Sequence, residues 1–504
     1  MYARSCGATT LGVDGVLIDV EVDVANGLPG FEMVGMPDAM VREAKERVRT
    51  AIKNSGISLQ QDKITVNLAP AGMRKDSAGL DLPIAVALLA AYGMVPSERI
   101  SEYIFIGELS LEGECRRVKG VLPMVIQAAK AGMKFVVTAE ENVNEALLAE
   151  EITVYGIQNL AELVAFLNGR TVLQPSSRQH EAACDEDSQG DFADVQGQFF
   201  AKRAFEIAAA GGHNVLLAGS PGAGKTMLAR RMSSILPQMA RHEALEVTKI
   251  YSIAGLLPKD SGLLRARPFR SPHHTVSAAA MIGGGTIPRP GEVTLSHNGV
   301  LFLDELPEFS KNVLESLRQP LEDGCVTVAR VNSTLSFPSR IMLIAALNPC
   351  PCGYYGEPDH SCECTPPQIK KYTRKLSGPL LDRFDIRIRV PRVSYQELTS
   401  SRQTENSASI RQRVEAARKI QLARFAKLGL FCNAQMNHGI LQRCSHLTAE
   451  AQDLLKMAFS EKKLSARSYD RILKVAQTIA DLGGSGVITE EQVGEALQLK
   501  ADIL

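Results

Sequence analysis

Two periodicities alternate along residues 1–170. VLIDVEVDV (Val16–Val24) and KITVNLAP (Lys63–Pro70) place apolar side chains at every second position, the pattern of a strand with one buried face. YIFIGELSL (Tyr103–Leu111) and KFVVTA (Lys134–Ala139) are short apolar runs that predict further strands. Between them, AMVREAKERVRTAIKNSG (39–56) and LPMVIQAAKAG (122–132) repeat apolar residues at the helical interval, the second closing on Gly132. The longest apolar run, Ile84–Val95, lies between Pro83 and Pro96; it is too short to span a bilayer and predicts a core helix. Strands and helices in this mixture predict an α/β or α+β domain.

The pattern then stops. TVLQPSSRQHEAACDEDSQGD (171–191) is polar, acidic and without period, which predicts an exposed linker. Over residues 192–392 it resumes as helix, buried strand, glycine loop and helix, followed by more strands, an α/β core with a parallel sheet. Residues 393–504 read almost wholly as helix, for example SIRQRVEAARKIQLARFAKLG and AEAQDLLKMAFSEKK, and predict a helical lid. The chain is thus expected to be an α/β multidomain protein. Its 504 residues exceed what one ordinary core supports.

Composition narrows the function classes. Apolar residues at 45% and charged residues at 22% are those of a globular chain, and 56 basic residues balance 56 acidic ones, so no global charge announces a nucleic-acid or membrane partner. The opening MYARSCGATTLGVDG has no apolar core of the kind a secretory signal needs. Ten cysteines, six of them scattered singly, suggest a reducing compartment, and a cytoplasmic location without a membrane partner is expected.

NVLLAGSPGAGKTMLARRMSSIL carries G-x-x-x-x-G-K-T behind an apolar strand and ahead of a helix. Gly219, Ser220, Pro221, Gly222, Ala223 and Gly224 would turn backbone amides around the phosphates of ATP. Lys225 would reach the β- and γ-phosphates, and Thr226 would give a hydroxyl to Mg²⁺. GVLFLDELPEF ends a second apolar strand in Asp304, suited to Mg²⁺, and Glu305, suited to polarising the attacking water. RIMLIAALN ends in Asn348, which could orient that water. GPLLDRFDI then presents Arg383, and LSARSYDRILKVAQTIADL presents Arg467 and Arg471 one turn apart.

This order resembles the AAA+ ATPases, in the branch that holds magnesium-chelatase ATPase subunits, MCM helicases and the ComM/YifB proteins. The segments that carry it are RPFRSPHHTVSAAAMIGGGTIPRPGEVTLSHNGVLFLDEL, LEDGCVTVARVNSTLSFPSRIMLIAALNPCPCG and GPLLDRFDIRI. The likeness to the ComM/YifB family covers nearly the whole chain. It implies that Arg383 is an arginine finger acting in trans, that Arg467 (or Arg471) is the second sensor, and that the chain forms a homohexamer. It also implies an insertion in the second helix, about Gly255 to Glu292, and a hairpin, VTVARV-NST-LSFPSR, facing a central pore. Arg265, Arg267, Arg270, His273, His274 and Arg289 crowd the first, while Arg330 and Arg340 flank the second, so these are candidate DNA contacts. Residues 393–475 add 14 Lys or Arg against 7 Asp or Glu, a surplus that can draw phosphate backbones; a solvated helical face is the alternative.

ITVNLAPAGMRKDSAGLDLPIAVALL and IFIGELSLEGECRRVKGVLPMVIQAAKAGM resemble the proteolytic domain of Lon, whose fold is of the ribosomal S5 domain 2 type. A Ser–Lys dyad does the chemistry there. Ser77 stands at the nucleophile's position, but Leu122 stands at the lysine's, with Lys119 three residues earlier. Leucine accepts no proton, so 1–170 is expected to be a proteolytically inactive, α+β Lon-like domain. The resemblance implies a hexameric helicase that branch-migrates recombination intermediates during integration of transforming DNA, binding single-stranded and branched DNA. The alternatives are a magnesium-chelatase-type ATPase remodelling a protein partner, and an ATP-dependent Lon-like protease.

Residues 348–366 hold Cys350-x-Cys352 and Cys362-x-Cys364, four soft ligands sufficient for a closed structural Zn²⁺ site. One residue within each pair is tighter than usual zinc spacing, and His360 is an alternative ligand.

Overall fold

The computed structural model describes residues 1–504 apart from 74, 76–77, 178–189, 259–261, 286–287, 331–332, 359, 399–403, 462–463 and 501–504. Ser77 and most of the predicted linker lie outside the described residues, as does the side chain of Arg330. The chain divides into two compact units. One comprises residues 1–184, 244–264 and 331–336, the other 185–243, 265–330 and 337–504.

The first unit is built on a sheet of β1 (Tyr2–Leu11), β2 (Asp14–Ala25), β3 (Gly30–Val34), β4 (Lys63–Ala69), β5 (Tyr103–Ile106), β6 (Phe135–Ala139) and β7 (Thr153–Ile157), in the order β3-β4-β2-β1-β5-β6-β7. The alternation read in β2 is real: Ile18, Val20, Val22 and Val24 are all buried. YIFIGELSL is not one strand. It breaks at Gly107, whose N–H and C=O leave the ladder for Gly79 O and Leu82 N, and where a Cβ would stand 2.6 Å from Cys115 Sγ.

Helix α1 (Ala39–Asn54) packs on α2 (Asp81–Ala91), and α2 and α3 (Val121–Lys130) pack on this sheet. Every residue of α2 is buried, as its lack of a polar face requires. Its one charge, Asp81, is met by Arg47 at 2.8 Å. The stretch 244–264, expected within the ATPase core, belongs to this unit instead. Ser252 Oγ donates to Glu145, Gly120 N donates to Ser252 O at 3.2 Å, and Arg117 Nη2 donates to Leu257 O at 2.7 Å.

In the second unit, α4 (Phe199–Gly211) leads into β8 (Val215–Ala218), followed by α5 (Lys225–Ile235), β9 (Phe269–Arg270), β10 (Val300–Leu303), β11 (Met342–Leu347) and β12 (Ile386–Arg389). All five strands are parallel, in the order β9-β10-β11-β8-β12. The first strand therefore lies between the fourth and the fifth, which opens a crevice at its carboxyl end. The predicted hairpin gives strands Cys325–Arg330 and Ser333–Pro338, and residues 333–336 of the latter belong to the first unit.

The lid consists chiefly of α6 (Ser407–Phe425), α7 (Ala449–Glu461), α8 (Ala466–Leu482) and α9 (Glu490–Gln498). Val414, Leu455, Leu473, Ile479 and Val493 share one hydrophobic cluster with Val215, Phe302, Ile344 and Ile386 of the sheet. Core and lid thus fold as one unit. No helix among the described residues is long and apolar enough to cross a membrane.

Candidate nucleotide site

Four buried residues of β8 deliver the chain into Gly219–Thr226. Gly219 admits no side chain, because a Cβ would sit 2.4 Å from Val390 O. Gly222 and Gly224 have φ of +79° and +86°, the left-handed turns that let successive amides point inward, and α5 begins at Lys225 directly behind. The Ser220 hydroxyl is buried without a hydrogen-bond partner among the described residues. The loop is a cradle shaped for an anion.

Lys225 is buried, and its Nζ donates to Gly219 O (2.6 Å), Ser220 O (2.9 Å) and Asn348 Oδ1 (3.1 Å). Burial pushes its pKa down, while Asp304, Glu357 and Glu305 pull it up. Thr226 Oγ1 donates to Asp304 Oδ2 at 2.7 Å, so the two residues read as Mg²⁺ ligands share one corner of the site. A hydroxyl and a carboxylate are oxygen ligands of the kind that ion takes. Glu305 follows with φ +51° and ψ +49°, a left-handed conformation that costs a non-glycine residue about 1 kcal/mol. Its carboxylate is exposed and lies 3.6 Å from His274 Nδ1. Lys225, Thr226, Asp304, Glu305 and Asn348 are brought together at the carboxyl ends of β8, β10 and β11.

The arginines are elsewhere. Asn214, just ahead of β8, donates from Nδ2 to Arg383 O at 2.9 Å, and Arg383 precedes β12. Arg383 therefore stands at the opposite end of the sheet from the phosphate loop, with the length of β8, about 13 Å, between them. Its buried guanidinium donates to Arg318 O (3.2 Å), to Pro379 O (2.6 Å) and to the Glu322 carboxylate. Arg467 is 3.9 Å from the other oxygen of Glu322. Together with Leu321, Asp470, Arg471 and Lys474 they line a cavity of about 170 Å³ in which four cations face two carboxylates. Arg471 is largely buried and 3.6 Å from Asp385, whereas Arg467 is exposed.

The thiols of Cys350, Cys352, Cys362 and Cys364 converge within 4.8 Å of one another. Hydrogen bonding from the Tyr354 amide leads the causes that lower the Cys352 pKa to about 6. His360 instead stacks on Tyr354 at 4.2 Å.

Three family models match the chain: "Subunit ChlI of Mg-chelatase" over residues 20–142, "Magnesium chelatase, subunit ChlI" over 191–398, and "Magnesium chelatase, subunit ChlI C-terminal" over 404–500. Competence protein ComM of Haemophilus influenzae is 42% identical over 507 aligned positions, covering 99% of this chain and 97% of its own. YifB of Escherichia coli is 43% identical over 495, covering 97% and 95%. The chain belongs to the ComM/YifB family, within the magnesium-chelatase-type AAA+ proteins. DNA repair protein RadA of Streptococcus pneumoniae is similar over 112 residues only, at 30% identity and 22% of this chain.

In this ComM/YifB chain the candidate DNA contacts have unequal surroundings. Arg265, His273 and Arg289 are exposed. Arg340 is exposed, its guanidinium 5.5 Å from the Phe431 ring centroid. Arg267 is held by Glu243, Pro237 O and Asn298 O, and Arg270 forms a two-pronged pair with Glu292 at 2.7 and 2.8 Å. Both are committed inside the fold. His274 stands beside Glu305, its ring tilted against that of His273 with the centroids 4.1 Å apart.

Leu122, at the Lon-like lysine position, is buried, and its amide donates to Glu145 at 2.9 Å, the carboxylate that also holds Ser252. Lys119 lies alongside Gly255.

Sequence reasoning missed Glu322 and Arg392. Arg392 Nη2 donates to Pro221 O at 3.2 Å, on the phosphate loop itself. Its position just past β12, the strand beside β8, was the available signal.

Proposed function

We propose that this ComM/YifB protein is an ATP-driven DNA motor. It works as a homohexameric ring and promotes branch migration of recombination intermediates, as in integration of DNA during natural transformation. The observation that carries the reading is the separation of Arg383 from its own phosphate loop by the length of β8. A finger at that end of the sheet serves hydrolysis only when a second copy presents its ATP site. Similarity to a competence protein and, in part, to a DNA repair protein supports DNA as the substrate.

In this reading Lys225 and the loop amides hold the β- and γ-phosphates, Thr226 and Asp304 hold Mg²⁺, Glu305 polarises the water, and Asn348 fixes Lys225. Bound Mg²⁺ supplies charge neutralisation at those phosphates. Arg383 and Arg467, side by side at Glu322, act together on the neighbour's nucleotide. Arg265, His273, Arg289 and Arg340, which are exposed, are the candidate contacts for DNA phosphates. The four cysteines hold a structural Zn²⁺, and the location is a reducing cytoplasm.

A second reading, a chelatase-type ATPase that remodels a protein partner, is favoured by the descriptions of the matching family models. ATP turnover measured with and without single-stranded DNA or a four-way junction separates the two. Stimulation together with junction resolution is expected, and a turnover indifferent to both DNAs sinks the motor.

A further inference from the structure

Between the end of β11 at Leu347 and the helix Pro366–Thr373, residues 348–365 contain no helix or strand among the described residues. A loop this long needs support of its own. It has almost no apolar core: Cys350 and Gly353 are buried, and its other described residues are half-buried or exposed.

Sulfur gathers it. Cys350 and Cys352 Sγ are 3.3 Å apart, and each is 3.6 Å from Cys362 Sγ. Four sulfurs around a tetrahedral Zn²⁺ at about 2.3 Å stand about 3.8 Å from one another, so this cluster needs only slight expansion to accept the ion. The amides of Gly353 and Cys352 donate to Cys350 and Cys364 sulfur at 3.2 and 3.4 Å, contacts that favour thiolates and orient them as ligands. An all-thiolate set selects a soft ion over Mg²⁺ or Ca²⁺. It leaves no open position, which makes the site structural.

The same loop forms a wall of the phosphate loop. Gly353 lies so close to Pro221 that a Cβ there would be 2.5 Å from Pro221 Cδ. Arg392 joins the two a second time: Nη2 donates to Pro221 O, and its guanidinium lies 5.3 Å from the centroid of the Tyr354 ring. Asn348, the first residue of the loop, accepts from Lys225. We infer that the four cysteines hold one Zn²⁺ and that this ion fixes the wall against which the phosphate loop is shaped, so that nucleotide affinity depends on the metal. The inference rests on reading Gly219–Thr226 as the ATP site.

The test uses the full-length protein, with zinc measured by elemental analysis and affinity by titration with a fluorescent non-hydrolysable ATP analogue. About one zinc per chain is expected. Its removal by chelator should weaken analogue binding roughly tenfold, and added Zn²⁺ should restore it. Cys362→Ser should lose both zinc and affinity, and Cys6→Ser, outside the cluster, neither. Arg392→Ala should keep the zinc yet bind the analogue several-fold more weakly, a result that loss of fold would not give. Protein without zinc, or zinc unaffected by Cys362→Ser, overturns the metal site. Unchanged affinity after zinc removal overturns the coupling. Tight analogue binding by zinc-loaded Lys225→Ala would instead overturn the ATP-site reading, so the two failures are distinguishable.

Discussion

Arg265 and Arg267 are two positions apart, and the sequence alone offers both to a phosphate backbone. Arg267 is largely buried, with Glu243 at 2.9 Å and two carbonyls completing its shell. Arg267→Ala would leave Glu243 unpaired at 13% exposure and should cost about 3–5 kcal/mol, read as a lower denaturation midpoint. Arg265→Ala, at an exposed site, should leave that midpoint within about 0.5 kcal/mol and instead weaken single-stranded DNA binding, with a shallower salt dependence. Equal midpoints for the two variants would contradict the burial argument. The same logic ranks the residues around the phosphates. Lys225→Ala removes the charge itself and should lower ATP turnover at least about a hundredfold. Asn348→Ala removes only one of its three anchors and should cost roughly tenfold in phosphate release.

The phosphate loop was legible because everything it needs is local: an apolar strand, glycines at the left-handed positions, and a helix start. Its seating against β12 was not, since Val390 lies 171 positions from Gly219 and no pattern announces the close approach. Gly219→Ala would push a methyl group to 2.4 Å from Val390 O, so analogue binding should fall more than about tenfold while zinc content stays unchanged. Undiminished binding would mean the loop can back away from β12. Other elements show the same division. The all-apolar run behind Pro83 became a wholly buried helix, α2, because it has no face to give to water. YIFIGELSL reads as one strand because its period continues through Gly107, whereas the backbone there bonds to Gly79 and Leu82. The cysteine pairs were visible by spacing, but their convergence depends on folding residues 350–364 back on themselves. Glu322 was invisible, being one acidic residue among many until Arg383 and Arg467 meet it.

For the whole molecule, the decisive question is which copy supplies Arg383. In a single chain its guanidinium is occupied by Glu322 and two carbonyls. A finger that enters a neighbouring site has to exchange that carboxylate for the γ-phosphate, so the isolated chain should hydrolyse ATP slowly. Subunit mixing turns this into a number. Lys225→Ala abolishes a subunit's own ATP site but leaves its finger, and Arg383→Ala does the reverse, so each variant alone should be inactive. In an equimolar mixed ring, a working interface needs an Arg383→Ala subunit contributing the nucleotide site next to a Lys225→Ala subunit contributing the finger. Random assembly in a cyclic ring makes about a quarter of the interfaces of that kind, and turnover should recover to at most about that fraction of the unsubstituted protein. If the finger acted within its own chain, neither subunit would be repaired by the other, and the mixture would remain as inactive as its components.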